Sequence, residues 1–216
     1  MTHAEVISQI EATRVISILR GDLRDTGLDI AFALAEAGIR ALEVSIVSPE
    51  YGTVIRSLAD ALGSRLAIGA GTVLTDEACR EVADCGASFV VSPNCETTVI
   101  ETTRRLGMAS FPGALTPTEI VVADRSGADA IKIFPADLVG PRGLALLNGP
   151  FPNIRFIPTG GITLENCSMY SAAGAWAVGV GSELVHTSDC RNPDISALME
   201  RARGFLAPGA RASLNA

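Results

Sequence analysis

The residue with the most distinctive chemistry is Lys132, the only lysine among the seventeen Lys and Arg residues of the chain. It stands in the apolar segment 130–135, whose β-branched and aromatic residues, ended by a proline, predict a buried strand. Arginine stays protonated, whereas a desolvated lysine amine can lose its proton and become a nucleophile. A structural alternative stays open, because the lysine stem could lie along the strand end with its ammonium in solvent. We interpret Lys132 as a candidate nucleophile.

A carboxylate lies on a second predicted strand, Ala41–Ile46. Alternation along this strand puts Leu42 and Val44 on one face and Glu43 on the other. The apolar face is expected to pack under helices, which would direct Glu43 into the same interior as Lys132. Two interpretations stay open: the two groups could form a neutralising buried ion pair, or the amine could attack a carbonyl while the carboxylate moves protons.

Glycines follow two predicted strands in the last quarter of the chain. Gly160 and Gly161 stand between a strand and a helix start, and Gly181 with Ser182 follows the next strand. Glycine lets backbone N–H groups approach an anion closely, and phosphate sites of parallel barrels commonly use the loops after strands seven and eight. The glycines could also serve only to turn tight corners. We predict that these four residues bind a phosphate.

Eight short apolar strands alternate with helical patterns along most of the chain. A βα unit that recurs about every 20–30 residues predicts a parallel sheet with crossover helices. Eight such units predict a single-domain (β/α)₈ TIM barrel over residues 1–206, followed by a loose tail over 207–216. An open doubly wound sheet is disfavoured, because no glycine-rich fingerprint follows the first strand. The predicted strands are Val15–Arg20, Ala41–Ile46, Leu66–Gly71, Phe89–Ser92, Ala109–Pro112, Ala130–Pro135, Ile154–Pro158 and Ala177–Gly181.

Capping residues predict where the intervening helices begin and end. Helix starts are expected after Asp25 and at Ser48–Pro49, Thr75, Thr116–Pro117 and Thr163. Glycine predicts the helix ends. These glycines are Gly38, Gly63, Gly86, Gly107, Gly127 and Gly174.

Composition excludes several classes of function. A net charge of −7 argues against nucleic acid and anionic membranes as partners. The N-terminus shows no signal peptide, so a cytoplasmic location with reduced cysteines is expected. Two isolated histidines, His3 and His186, predict neither a metal site nor a metal cofactor.

Five motifs in order give the chain a family resemblance from about Arg14 to Leu184. They are Leu42–Val44, Ile68–Leu74, Ser92–Pro93, Ile131–Ala136 and Pro158–Ile162. With these motifs the chain resembles the bacterial aldolases that cleave 2-keto-3-deoxy-6-phosphogluconate (KDPG) or its galactonate epimer. The resemblance implies a carbon–carbon lyase of carbohydrate metabolism that yields pyruvate and glyceraldehyde 3-phosphate. It also implies a homotrimer of barrels that needs no cofactor.

The resemblance further implies roles for individual residues. Lys132 would form a Schiff base with the keto acid, and Glu43 would be the general acid/base, acting through a water. Thr72 would seat the pyruvate carboxylate, and the phosphate would lie on Gly160, Gly161, Gly181 and Ser182. The other implied substrate-binding residues are Arg20, Pro93, Phe134 and Thr159.

One departure from the family pattern bears on substrate specificity. The gluconate enzymes usually carry, four residues after the glutamate, an arginine that contacts the substrate carboxylate, and this chain has Val47 there. Arg20 could supply that contact instead. Ser48–Pro49 is similar to the galactonate branch, whereas Thr159 is similar to the gluconate branch. The epimer therefore stays unassigned at this point.

Three alternative functions remain open from the sequence. The chain could act on a non-phosphorylated substrate as a 4-hydroxy-2-oxoglutarate aldolase. It could be an isomerase with Glu43 as base and Lys132 only electrostatic. It could also be a sugar-phosphate-binding protein without catalysis.

Overall fold

The computed structural model describes residues 1–207 as an α/β fold whose strands pair in parallel. The strands are β1 (Val15–Leu19), β2 (Ala41–Ser45), β3 (Ala67–Gly71), β4 (Phe89–Val91), β5 (Ala109–Phe111), β6 (Gly113–Ala114), β7 (Ile131–Ile133), β8 (Phe156–Pro158) and β9 (Val178–Val180). The helices are α1 (His3–Thr13), α2 (Gly27–Ala37), α3 (Tyr51–Leu62), α4 (Asp76–Asp84), α5 (Thr97–Arg105), α6 (Pro117–Arg125), α7 (Ala136–Asn148), α8 (Cys167–Ala172) and α9 (Ile195–Leu206). The predicted alternation of strands and helices is confirmed.

The strands form a curled six-stranded sheet and a three-stranded sheet. The orders are β5-β4-β3-β2-β1-β9 and β6-β7-β8. The Lys132 N–H donates to the Pro112 carbonyl (2.8 Å), at the point where β5 gives way to β6. On the other side, a parallel bridge pairs Thr159 with Gly179, and the Trp176 N–H donates to the Phe156 carbonyl (2.9 Å).

The structure differs from the sequence prediction in its details. The predicted fifth strand, Ala109–Pro112, ends one residue early as β5, because Pro112 has no N–H to donate to a ladder. A separate two-residue strand that was not predicted, β6, follows it. Helix α1 was not predicted, although Thr2 and Glu5 form a capping box at its start. The predicted helix start at Ser48–Pro49 is wrong, because α3 begins at Tyr51. The Ser48 hydroxyl instead accepts a hydrogen bond from the Gly21 N–H.

Of three further predicted helix starts, two are confirmed and one is wrong. Thr116 forms the predicted capping box with Glu119, and Thr75 caps α4 through the Ala78 N–H. Thr163 does not begin a helix, because α8 starts only at Cys167. Of the predicted tail, residues 208–216 lie outside the described part of the chain.

Strand alternation divides the core into two apolar layers. Leu42, Val44 and their equivalents on other strands pack under the helices, as predicted. A second cluster fills one end of the sheet interior, where Phe89 and Phe111 meet Val6 and Ile10 of α1. The polar residues of the interior lie toward the carboxyl ends of the strands. No helix within residues 1–207 is long and apolar enough to cross a membrane.

Candidate active site

A cavity of about 290 Å³ opens at the carboxyl ends of β1, β7, β8 and β9. Its wall includes both cationic and hydroxyl side chains together with several glycines, which expose backbone amides. The lining residues that were predicted as site residues are Arg20, Lys132, Phe134, Thr159, Gly160, Gly161, Gly181 and Ser182. The fold therefore brings predicted site residues from four separate strands to one cavity.

Lys132 lies at the buried end of this cavity. It occupies the middle of β7, between Gly113 of β6 and Ile157 of β8, and only 6% of it is exposed. Its Nζ lies 4.9 Å from the centroid of the Phe134 ring, two residues along the same strand face. The buried amine thus lies near an aromatic ring and lines the cavity.

Glu43 is also buried, with 2% of the residue exposed. Its carboxyl occupies the space that a side chain at position 71 would need, so Gly71 is what leaves room for it. Burial raises the pKa of Glu43, and the charges of Lys132 and Arg20 lower it in part. The carboxyl therefore lies within the electrostatic reach of both cations and is biased toward holding a proton.

Glu43, Thr72 and Pro93 do not line the cavity itself, in contrast to the other predicted site residues. Lys132 and Arg20, which do line the cavity, are near enough to Glu43 for their charges to lower its pKa in part. The Thr72 hydroxyl lies 3.0 Å from the Ser45 hydroxyl, and Thr72 adopts a left-handed backbone conformation (φ 65°). Thr72 is thus held at the end of β3, beside the polar part of the sheet interior.

The glycine loop after β8 has the backbone conformation that requires glycine. Gly160 and Gly161 both have positive φ (89° and 82°), and the Asp137 carboxylate packs where a side chain at 161 would project. Asn166 fixes the loop, because its amide donates to the Gly161 carbonyl (2.7 Å) and its side-chain oxygen accepts from the Thr163 N–H (2.9 Å).

Val47 and Arg20 take different positions relative to the cavity. Val47 is 63% exposed and lines no part of the cavity, whereas Arg20 lies in its wall. The guanidinium of Arg20 is also close enough to lower the pKa of Glu43. The guanidinium in the cavity wall is therefore that of Arg20, which directly follows β1, and the loop after β2 supplies no cation at position 47.

Sequence reasoning missed part of the cavity wall. Ile18 could have been found, because it shares a face with Arg20 in the predicted strand Val15–Arg20. The long connection after β9 has no periodic pattern that would have assigned its side chains to a cavity. Its missed residues are Glu183, Val185 and Thr187.

That long connection is held by a buried ion pair. Asp189, 4% exposed, pairs with Arg201 of α9 and also accepts a hydrogen bond from the His186 N–H (2.8 Å). Arg201 donates in addition to the Leu184 carbonyl (2.9 Å). Residues 1–207 contain no group of three or more His, Cys, Asp or Glu side chains that could hold a metal ion.

Comparison with known proteins gives one consistent family. The family model for KDPG and KHG aldolase matches residues 6–200. The chain is 37% identical over 171 residues to the 2-dehydro-3-deoxy-6-phosphogalactonate aldolase of Escherichia coli strain K12, covering 79% of this chain and 83% of that enzyme. It is 36% identical over 170 residues to the 2-dehydro-3-deoxy-phosphogluconate aldolase of Pseudomonas aeruginosa, and this match covers 78% of this chain and 77% of that enzyme.

A solved structure agrees with the relatives. The fold superimposes with a TM-score of 0.85 on the KDPG aldolase of Legionella pneumophila, whose crystal structure holds pyruvate captured at low pH as a covalent carbinolamine intermediate. That match has 28% sequence identity and covers 93% of this chain and 98% of the other. The family resemblance found in the motifs is thereby confirmed. The chain belongs to the KDPG and KHG aldolase family of carbon–carbon lyases.

Proposed function

We propose that the chain is a class I aldolase that cleaves a 2-keto-3-deoxy-6-phospho sugar acid into pyruvate and glyceraldehyde 3-phosphate. The observation that carries the proposal is the burial of the Lys132 amine in the cavity, within electrostatic reach of the buried Glu43 carboxyl. An amine and a carboxyl in one desolvated site are the groups that imine chemistry requires. The covalent carbinolamine of the Legionella enzyme supports the same route here.

The proposed reaction begins when the neutral Lys132 amine attacks C2 of the keto acid. The carbinolamine then loses water and becomes a protonated imine, which withdraws electrons from the C3–C4 bond. Loss of the proton from the C4 hydroxyl breaks that bond, releases glyceraldehyde 3-phosphate and leaves an enamine. Protonation at C3 and hydrolysis of the imine then free pyruvate. We assign these proton transfers to Glu43 acting through a water, as the family resemblance implies; the support is that its buried carboxyl lies within electrostatic reach of Lys132.

The two ends of the substrate are assigned to different parts of the cavity. Arg20 is assigned to the substrate carboxylate, and the phosphate to Gly160, Gly161, Gly181 and Ser182. The support is that all of these residues line one cavity with Lys132 and that the glycine loop exposes backbone amides. Thr72 stays a predicted contact of the pyruvate carboxylate, and Pro93 stays a predicted substrate-binding residue. Phe134 and Thr159, the other predicted substrate-binding residues, line the same cavity.

The assembly is part of the same proposal. We infer that the two sheets close into one (β/α)₈ barrel over a single domain, because backbone bonds join them at Pro112 and at Thr159–Gly179. We also propose the homotrimer that the family resemblance implies. Light scattering on the purified protein should give three times the chain mass, and a monomeric mass would contradict the trimer.

The presence of one lysine makes the test of the imine unusually clean. Incubation with pyruvate and borohydride should fix a reduced pyruvyl group, and peptide mapping should place it on Lys132 rather than on the terminal amine. Folded protein that traps no adduct would exclude the Schiff-base mechanism. Lys132→Ala is the matched control and should trap nothing at this position.

The substrate epimer is tested by comparing two substrates directly. Relatives of the galactonate and gluconate types match the chain almost equally well, at 37% and 36% identity. Rates of pyruvate release from the two epimers, measured side by side, should show which one the cavity prefers. The isomerase, the 4-hydroxy-2-oxoglutarate aldolase and the sugar-phosphate-binding protein are not favoured by the comparisons.

A further inference from the structure

The peptide unit between Arg20 and Gly21 is hydrogen-bonded at both of its ends. The Gly21 N–H donates to the Ser48 hydroxyl (3.1 Å), and the Arg20 carbonyl accepts from the Cys190 thiol (3.5 Å). The same thiol also lies 3.9 Å from the His186 carbonyl, a weaker alternative acceptor. Ser48 and Cys190 come from the loops after β2 and β9, so two separate loops hold this one peptide unit.

Both of the groups that hold it are themselves fixed. Ser48 and Cys190 are 4% and 5% exposed, and the buried Thr26 hydroxyl donates to the Cys190 carbonyl (2.8 Å). Gly21 has a φ of 143°, and a side chain there would come within 2.9 Å of the Cys190 sulfur. Close approach of the two loops therefore depends on glycine at position 21.

The side chain of Arg20 is anchored in no comparable way. Within residues 1–207 the Arg20 guanidinium has no hydrogen-bond or ion-pair partner, and the residue is exposed at the cavity mouth. An arginine side chain loses considerable conformational freedom when it binds a ligand. Because no partner anchors the side chain, the region that the Arg20 guanidinium can reach depends on the position of its backbone.

We propose that Ser48 and Cys190 are positioning residues that hold Arg20 in place to receive the substrate carboxylate. This inference rests on the proposed function, in which Arg20 makes that contact. Holding a binding group in its productive geometry strengthens substrate binding without changing the chemical step. The hydrogen bond to Ser48 also gives a physical reason for the serine that follows Val47. The loop after β2 supplies no cation at position 47, but its serine orients the backbone that carries Arg20.

A double-mutant cycle separates positioning from general stability. Ser48→Ala and Cys190→Ala should each raise the KM for the keto acid about fivefold, as expected for one lost hydrogen bond, with kcat nearly unchanged. Arg20→Ala should raise KM further, and Ser48→Ala should then add nothing in the Arg20→Ala background. Cys190→Ser keeps a donor at this position and should restore most of the loss.

Ser88→Ala is the matched control, because it removes a hydroxyl-to-carbonyl bond (to Ile68, 2.9 Å) that lies before β4, away from the cavity. It should lower Tm and leave KM unchanged. The inference is overturned if Ser48→Ala and Cys190→Ala keep the wild-type KM, if Arg20→Ala does, or if Ser48→Ala raises KM equally in both backgrounds. Ser48→Ala and Cys190→Ala remove hydrogen bonds at opposite ends of the same peptide unit. If one of the two variants does not fold, the KM of the other therefore still tests the positioning of Arg20. Wild-type protein that cleaves neither epimer would instead contradict the proposed function itself.

Discussion

The two ends of the sheet interior use the same strand alternation for opposite purposes. At one end aromatic rings fill the space: Phe89 and Phe111 lie 5.6 Å apart between centroids, and Phe111 and Trp176 lie 6.3 Å apart. At the other end the interior holds two ionisable groups, Lys132 and Glu43, and opens into a cavity. The first end is built for packing and the second for chemistry.

Strand β3 shows how one sequence pattern supplies both ends. Gly69 and Gly71 lie on the same strand face, and a side chain at either position would overlap a neighbour. At Gly69 that neighbour is the Phe89 ring, whereas at Gly71 it is the Glu43 carboxyl. Gly69 thus leaves room for an aromatic ring, and Gly71 leaves room for a candidate catalytic carboxyl. The comparison teaches that function here depends on which side chain fills the space that glycine leaves.

The largest expected effect comes from changing the amine at the chemical end. Lys132→Arg keeps the positive charge but removes the nucleophile, so kcat/KM should fall on the order of 10⁵-fold. The measurement is pyruvate release, with circular dichroism to show that the variant is folded. Retention of a few per cent of wild-type activity would sink the Schiff-base role and favour an electrostatic one.

Glu43→Gln removes the ionisable group and keeps its shape, which isolates proton transfer from packing. We expect kcat to fall about 10³-fold, because general acid/base groups contribute on this order. Steady-state kinetics and the yield of borohydride-trapped adduct would check it. Near-normal kcat would leave Glu43 as a buried ion-pair partner only.

Phe111→Ala should affect the packed end alone. Loss of a fully buried ring should lower the free energy of unfolding by about 4 kcal/mol, measured by denaturant titration. At a temperature where the variant is folded, KM should stay close to that of the wild type. A large rise in KM with little change in stability would break the division between the two ends.

The smallest effect is a pH dependence of stability that belongs to the chemical end. Burial raises the pKa of folded Glu43 above its ordinary value of 4.5, so the native state holds this proton over a pH range in which the unfolded chain has lost it. The contribution of Glu43 to stability is therefore present below about pH 4.5 and is lost as the pH rises through the folded-state pKa. Each unit of difference corresponds to about 1.4 kcal/mol.

Glu43→Gln cannot ionise and should not show this loss. Relative to the wild type it should therefore become more stable as the pH rises from 4.5, as measured by denaturant titrations across that range. Parallel stability curves for the two proteins would contradict the raised pKa.

Much of the site could be predicted because strand alternation is a local property. Residues such as Lys132 and Phe134 share a face whatever the rest of the chain does. The late start of α3 could not be predicted as easily, because Ser48 accepts a hydrogen bond from Gly21 in another loop and does not cap the helix. Glu183 and Val185 also line the cavity, but they lie in an irregular connection whose sequence has no periodic pattern from which this could be predicted.

By itself the sequence determined which residues carry chemistry: one lysine in an apolar strand, one inward carboxylate and paired glycines after late strands. Only the tertiary structure decided which of them line one cavity and which stand behind it. It also decided that Arg20, rather than the loop carrying Val47, supplies the cation at the mouth. The physical reason is that composition and alternation are local, whereas burial, charge interaction and clamping arise only when distant loops meet.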